Sequence, residues 1–413
     1  MATVQTNYHQ EVLIISQKYK LKAVTICFLA AFITGGFGAA IGLVSPQLAA
    51  FYGVHVSHIV YLDVLNIVGL LIGNILSARL MERLGCHKTL LLAIFLGIIA
   101  QFTISFGFPL AVYAVCALIN GACLGLLVPT VSQSIFAAYR ASNKGEARLN
   151  ILNFFFGLGA AVVPIVGGYI VHYFSWKGVF AALGSLYVLL FILAFFCVYR
   201  FEQADATVSH TKKASPPSEN HQHKMLNLSV VLIALALVFY VYVEYIVSYW
   251  FSPYLQEEKS VAVIYTGAII GVFWAMIALF RLIVGIFILS KVKPAYYLII
   301  STAITIIGFL VFLASDSIVL FFIGAIILGI GCSALFPTLL GYGITQANYN
   351  SPKITAFLIM SGSIGAAICL FTSGFLGQHI NKQVPIYLGP LLGIGIIILV
   401  SIVIWKEKQA SNA

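Results

Sequence analysis

GACLGLLVPTVSQS occupies residues 121–134, and GIGCSALFPTLLGY occupies residues 329–342. Each begins at a glycine, runs through small and apolar residues, and reaches a Pro-Thr pair at the same spacing. Pro129 and Pro337 are 337 − 129 = 208 positions apart, about half of the 413 residues. A proline inside an apolar helix removes one backbone hydrogen bond and clashes with the preceding turn, so it bends or breaks the helix. Two further pairs lie at nearly the same offset. VSPQL and FSPYL place Pro46 and Pro253 at 253 − 46 = 207, and GLGAA and SIGAA place Gly159 and Gly365 at 365 − 159 = 206. The chain reads as one unit written twice in the same direction.

Composition says what medium the unit lives in. The chain is 61% hydrophobic and 8% charged, with a mean hydropathy of +1.04. A soluble domain carries about 25% charged residues. So few charges cannot cover a water-facing surface, and an integral membrane protein follows. The net charge of +10 does not point to nucleic acid, because the basic residues sit in short loops at helix ends. Seven cysteines lie mostly in apolar runs, with no CxxC and no Cys/His cluster. Neither a disulfide framework, a metal site nor a cofactor is expected. The polar, basic first 22 residues and the long first apolar run do not read as a cleavable signal peptide.

A spanning helix needs roughly 20 mostly apolar residues. Runs of that kind fall near 22–52, 56–80, 89–108, 110–139, 147–172, 178–199, 227–256, 261–290, 295–314, 317–346, 353–379 and 384–405. They predict twelve transmembrane helices, spans 1 to 12, in an all-α fold of two six-helix halves in parallel repeat. The expected division is a cytoplasmic tail over 1–21, a bundle over 22–200, a linker over 201–226, a second bundle over 227–405, and a tail over 406–413. The linker is polar, holds Pro-Pro and has no helical period. Placing both termini in the cytoplasm leaves only Lys177, Lys259 and Lys382 outside, as the positive-inside rule prefers. Parallel repeats of this kind build secondary transporters, with the solute held between the halves near the midplane.

Several stretches resemble the major facilitator superfamily, within its fucose–galactose–glucose proton symporter branch. They are RLNILNFFFGLGA (148–160), YVYVEYIVSYWFSPYL (240–255), FRLIVGIFILSKVKP (280–294), FPTLLGYGI (336–344) and GSIGAAI (362–368). ARLMERLGCHK (78–88) resembles a degenerate form of the superfamily's loop motif after span 2, with Glu82, Arg83 and Lys88 matching in kind. LMER and span 5 are also similar to a TsgA-like permease subgroup. The resemblance implies alternating-access transport of a small polar solute, a sugar among the options, with a proton as the candidate coupling ion. Short loops and no large extracellular domain favour a bacterial inner membrane, and a monomer is expected. Arg148, at the start of span 5, would stabilise a gate. One departure matters: span 1 reads ITGGFGAAIGLVSPQL and carries no carboxylate, nor does span 4.

Charges inside spans are costly and commonly face a cavity or a partner. Glu244 on span 7 is the first candidate for a solute or proton group. Asp63 on span 2 is the second. It shares a helical stripe with Asn66, Gly69, Gly73 and Ser77, which reads equally as a packing face. Arg281 on span 8 either snorkels to the interface or pairs with a carboxylate, as a structural or gating residue. Asn153, Gln133, Trp250 and Trp274 complete the solute candidates, with Tyr249 beside them. Pro129 and Pro337 are expected to provide matched bends.

Two other readings compete. GAAVVPIVGG (159–168) resembles an antiporter motif with Val163 at a glycine position, which would favour an efflux permease. A solute sensor that keeps the fold without translocating is the alternative of another class. An enzyme is not expected: there is no HExxH and no phosphate-binding loop.

Overall fold

A computed structural model of the protein describes residues 13–15, 17–139, 145–196, 201–203, 227–289, 291–314, 316–347 and 352–412. Twelve helices among them are long and apolar enough to cross a membrane. Spans 1 to 6 are Leu21–Tyr52, Val56–Leu84, Cys86–Phe106, Leu110–Tyr139, Ile151–Tyr173 and Trp176–Phe196. Spans 7 to 12 are Leu228–Glu258, Val263–Ile283, Pro294–Leu313, Ile318–Thr345, Ile354–His379 and Val384–Gln409. The apolar runs thus become spans at nearly the expected boundaries. Residues 204–226 of the expected linker lie outside the described residues. Its first residues, Phe201–Gln203, pair antiparallel with Leu13–Ile15 of the N-terminal segment, a small strand pair that helical periodicity gives no sign of.

Large apolar side chains point away from the protein on many spans, among them Ile75, Phe195, Ile300, Ile307, Leu310 and Phe371. In a lipid solvent this surface needs no polar cover. With lipid as apolar as leucine, helices associate through close packing of small residues. Spans 2 and 4 show it: a Cβ on Gly69 or Gly73 would strike the backbone of span 4 near Leu118, Ala122 and Gly125. The small stripe of span 2 is therefore a packing face.

Two spans are interrupted. Span 2 is a short helix, Val56–Leu62, then Asp63 in a turn, then Val64–Leu84. Span 10 is Ile318–Cys332 followed by Leu335–Thr345, with Ser333 and Ala334 between. Span 4 has no such break: Leu110–Tyr139 runs through Pro129 as one helix. The two Pro-Thr phrases, alike in sequence, therefore differ in structure. The expectation of matched devices is corrected to one continuous helix and one broken helix.

The start of span 1 at Leu21 and the end of span 12 at Gln409 lie at one end of the bundle, called the termini end below, because twelve spans return the chain to the side it began on. Lys177, Lys259 and Lys382 lie at the opposite end, called the far side below. Each is held there. Lys177 donates to the Phe106 carbonyl at 3.4 Å and stacks on Phe51, Lys259 pairs with Asp316, and Lys382 pairs with Glu257.

Candidate functional site

The break in span 10 begins with chemistry that Pro337 cannot perform. In an unbroken helix the Ser333 carbonyl would accept from the N–H of residue 337, and proline has none. Such a freed carbonyl must find another donor inside a membrane. Arg281 Nε of span 8 donates to the Ser333 carbonyl at 2.8 Å. The Tyr240 hydroxyl of span 7 donates to the Cys332 carbonyl at 3.0 Å, and Ser301 Oγ of span 9 donates to the Gly331 carbonyl at 2.6 Å. Three consecutive carbonyls are thus capped by three side chains from three different spans.

Arg281 does not snorkel outward; it braces the opened turn. Ser333 is fully buried. Arg281→Ala leaves its carbonyl without that donor, at an expected cost of about 1–3 kcal/mol. The denaturation midpoint of the purified protein should fall accordingly. Arg281→Lys, which keeps a donor, should recover part of the loss.

Glu244 lies on the same wall, within coulombic reach of Arg281, Tyr240 and Cys332. From Tyr240 to Leu255, only Glu244 and Tyr245 keep partial exposure, although they sit deep within the bundle. Their side chains therefore face an internal space. Trp274 of span 8 is 8% exposed, meets Phe156 of span 5 edge-on at 6.5 Å, and has an indole N–H with no hydrogen-bond partner. Trp274 lies seven residues, two helical turns, from Arg281 on the same face of span 8, so the interior between spans 5, 7 and 8 carries a carboxyl group, an indole donor and aromatic rings.

One turn beyond Glu244 the halves close on the far side. A Cβ on Gly42 of span 1 would overlap the Ser248 carbonyl of span 7, so the backbones touch there. Ser252 Oγ donates to the Leu43 carbonyl at 2.8 Å, and Gln256 Nε2 reaches the same oxygen at 3.3 Å. Gln47 Nε2 donates to Gln256 Oε1 at 2.6 Å. The Tyr249 hydroxyl donates to Asp63 Oδ2 across the two halves.

The remaining expected residues separate by position. Asn66 is buried, and its side chain bonds Asp63. Asn153 and Gln133 are exposed, and no described contact ties them to Glu244. Trp250 is a correction. Its side chain is fully buried, its indole N–H donates to Ser373 Oγ at 2.8 Å, and its ring fills the space over Gly377, so it packs span 7 on span 11 and does not face the internal space. Glu82, Arg83 and Lys88 are exposed at the termini end, around a turn where Gly85 adopts φ 81°. Arg148 lies in the helix Gly145–Tyr173, with its side chain outside the described residues.

Sequence reading missed Tyr240, Ser301, Gly42 and the Gln47–Gln256 pair. The pair had a signal: its separation of 209 is close to the repeat offset. Tyr240 and Ser301 had none, because nothing local distinguishes them from other polar groups in apolar helices.

Twelve spans in two repeated halves, closed together one turn beyond a mid-span carboxyl group, have the architecture of a solute carrier. The chain belongs to the Major Facilitator Superfamily, whose sequence profile matches residues 26–351. It is a multi-pass membrane transporter and not an enzyme. Among curated relatives it is similar to the TsgA homolog of Edwardsiella ictaluri, 23% identical over 365 residues, 87% of this chain and 89% of that protein. It is likewise similar to TsgA of Shigella boydii, 23% identical over 368 residues, 88% and 90% of the two chains. These matches support the TsgA-like resemblance. Among solved structures it is similar in fold to a D-xylose-proton symporter, with a TM-score of 0.71 at 14% identity, covering 93% of this chain and 97% of that one. It is also similar to the nucleoside transporter NupG, with a TM-score of 0.70 at 15% identity, covering 93% and 99%.

Proposed function

We propose that this transporter moves a small neutral polar solute, of sugar or nucleoside size, by alternating access, with Glu244 as the group that binds solute or proton. The observation that carries this reading is the placement of Glu244: a carboxyl group in mid-span, facing the internal space, within coulombic reach of Arg281 on span 8, the span whose Trp274 has an indole N–H without a partner. A carboxylate accepts hydrogen bonds from hydroxyl groups, the indole donates one, and aromatic rings cover the apolar faces of a sugar or base. The fold neighbours include a xylose-proton symporter and a nucleoside transporter by name, which agrees with a solute of that class. The proposed setting is a bacterial inner membrane with both termini cytoplasmic, supported by the basic residues gathered at the termini end. A proton is the proposed coupling ion, and a monomer the proposed working unit.

The test is uptake by proteoliposomes of labelled hexoses, pentoses, amino sugars and nucleosides, with and without an imposed proton gradient. Saturable uptake of one class supports the reading. Binding without uptake, for every class, would indicate a sensor.

A second reading, export of an apolar compound, is favoured by one observation. Val162, Val163, Val166 and Gly167, from the antiporter-like stretch of span 5, line an apolar cavity of about 220 Å³ with Phe32 and Leu183. Extrusion of an apolar dye from the same vesicles, unaffected by any sugar or nucleoside, would favour it.

A further inference from the structure

Asp63 is a second carboxyl group inside the spans, and its surroundings are unlike those of Glu244. Its side chain sits at the break in span 2 and is 1% exposed. Oδ2 accepts from the Tyr249 hydroxyl of the opposite half, and the Asn66 side chain adds a bond from its own helix. Oδ1 is buried with no hydrogen-bond partner, and so is the hydroxyl of Tyr113, which lies within coulombic reach on span 4. The titratable groups facing Asp63 are tyrosines: Tyr249 and Tyr245 of span 7 and Tyr113 of span 4. Among the described residues no lysine, arginine or histidine acts on it. An ionised carboxylate here is a buried charge without a counter-ion, which is costly, whereas a carboxylic acid is not.

We propose that Asp63 is a proton-binding site that couples closure of the far side to the pH of the solution on that side. As the halves come together, the carboxylate takes a proton from hydronium, leaving water and a neutral carboxylic acid. The proton sits on Oδ1, the oxygen with no donor of its own, while Tyr249 donates to Oδ2 and ties span 2 to span 7. When the far side opens, Tyr249 leaves with its half and water reaches the carboxyl group. The proton passes to water, and the hydrated carboxylate remains. In the closed form Asp63 is sealed from both solutions, so the proton enters and leaves by the far side. Asp63 therefore regulates the gate, while solute coupling stays with Glu244. This deepens the alternating-access reading and rests on it only for the existence of two conformations.

The experiment is a pulsed electron-spin distance measurement on full-length protein in vesicles, with labels at Phe51→Cys and Ile380→Cys. These exposed positions lie at the far ends of the two halves. No solute is added, so the result does not depend on which solute is carried or on whether transport is detected. From pH 5 to pH 8 the labels should move apart. One linked proton changes the open-to-closed ratio by up to about tenfold per pH unit. Asp63→Asn, a neutral isostere that still accepts from Tyr249, should stay closed at every pH. Tyr249→Phe, which removes the tie, should lose most of the closed population. His55 lies at the same end, where burial and nearby Lys382 disfavour its imidazolium form. It is intact in both variants, so any response of its own would persist in them. A wild-type pH response in Asp63→Asn, or no response in the parent protein, would overturn the proposal.

Discussion

Glu244→Gln is expected to lower solute uptake about ten- to a hundredfold in proteoliposomes while leaving the protein folded. Glutamine keeps the size of the side chain and one acceptor oxygen, but it cannot carry charge or exchange a proton. A hydrogen bond to a charged group is worth about 1.5–3 kcal/mol, and about 1.4 kcal/mol is a factor of ten. The substitution changes no helix contact, since the hydrogen bond that Ser248 makes to this residue uses its backbone carbonyl. A normal denaturation midpoint with lost uptake would place the defect in solute or proton binding. If the variant still binds solute but no longer responds to a proton gradient, Glu244 is the coupling group. Wild-type uptake with a wild-type pH profile would remove Glu244 from the mechanism.

Gly42→Ala should have an effect of similar size by a different route. The added methyl would overlap the Ser248 carbonyl and crowd the Cα of Tyr249. Helix backbone cannot yield as a flexible side chain can. Overpacking typically costs about 1–3 kcal/mol, and that cost falls only on the conformation closed on the far side. The ratio of open to closed molecules should then rise about five- to a hundredfold, with uptake falling because half the cycle is disfavoured. Gly38, one turn earlier in the same span, has open space where its Cβ would stand. Gly38→Ala is the matched control, and its uptake should stay near that of the parent protein. Equal effects at both positions would mean that the glycines serve helix flexibility rather than closure.

Much of the fold is legible because lipid simplifies the problem. A helix in hydrocarbon satisfies its own backbone, so apolar length alone reports a span. Repeated Pro-Thr and Gly-Ala-Ala phrases report the duplication. Glu244 and Asp63 were legible as candidates because a carboxyl group in such a run is rare and costly. Their different surroundings were not. Asp63 and Tyr249 are 186 positions apart, and no local pattern predicts that they meet. Trp250 and Trp274 look alike as aromatics in apolar helices. One is locked to Ser373, and the other has a buried N–H with no partner.

The Pro-Thr phrases make the division plain. By itself the sequence determined that each half carries a proline at the same place, and hence that each half frees one helix carbonyl there. Only the tertiary structure decided that span 10 opens and span 4 does not. The donors that cap the opened turn come from spans 7, 8 and 9. At the offset of 208 between the two Pro-Thr phrases, Tyr240, Arg281 and Ser301 fall on Phe32, Gly73 and Ala93, whose side chains have no donor to offer. An exposed carbonyl in a membrane protein is affordable where a donor waits for it, and side chains brought from far along the chain decide where that is.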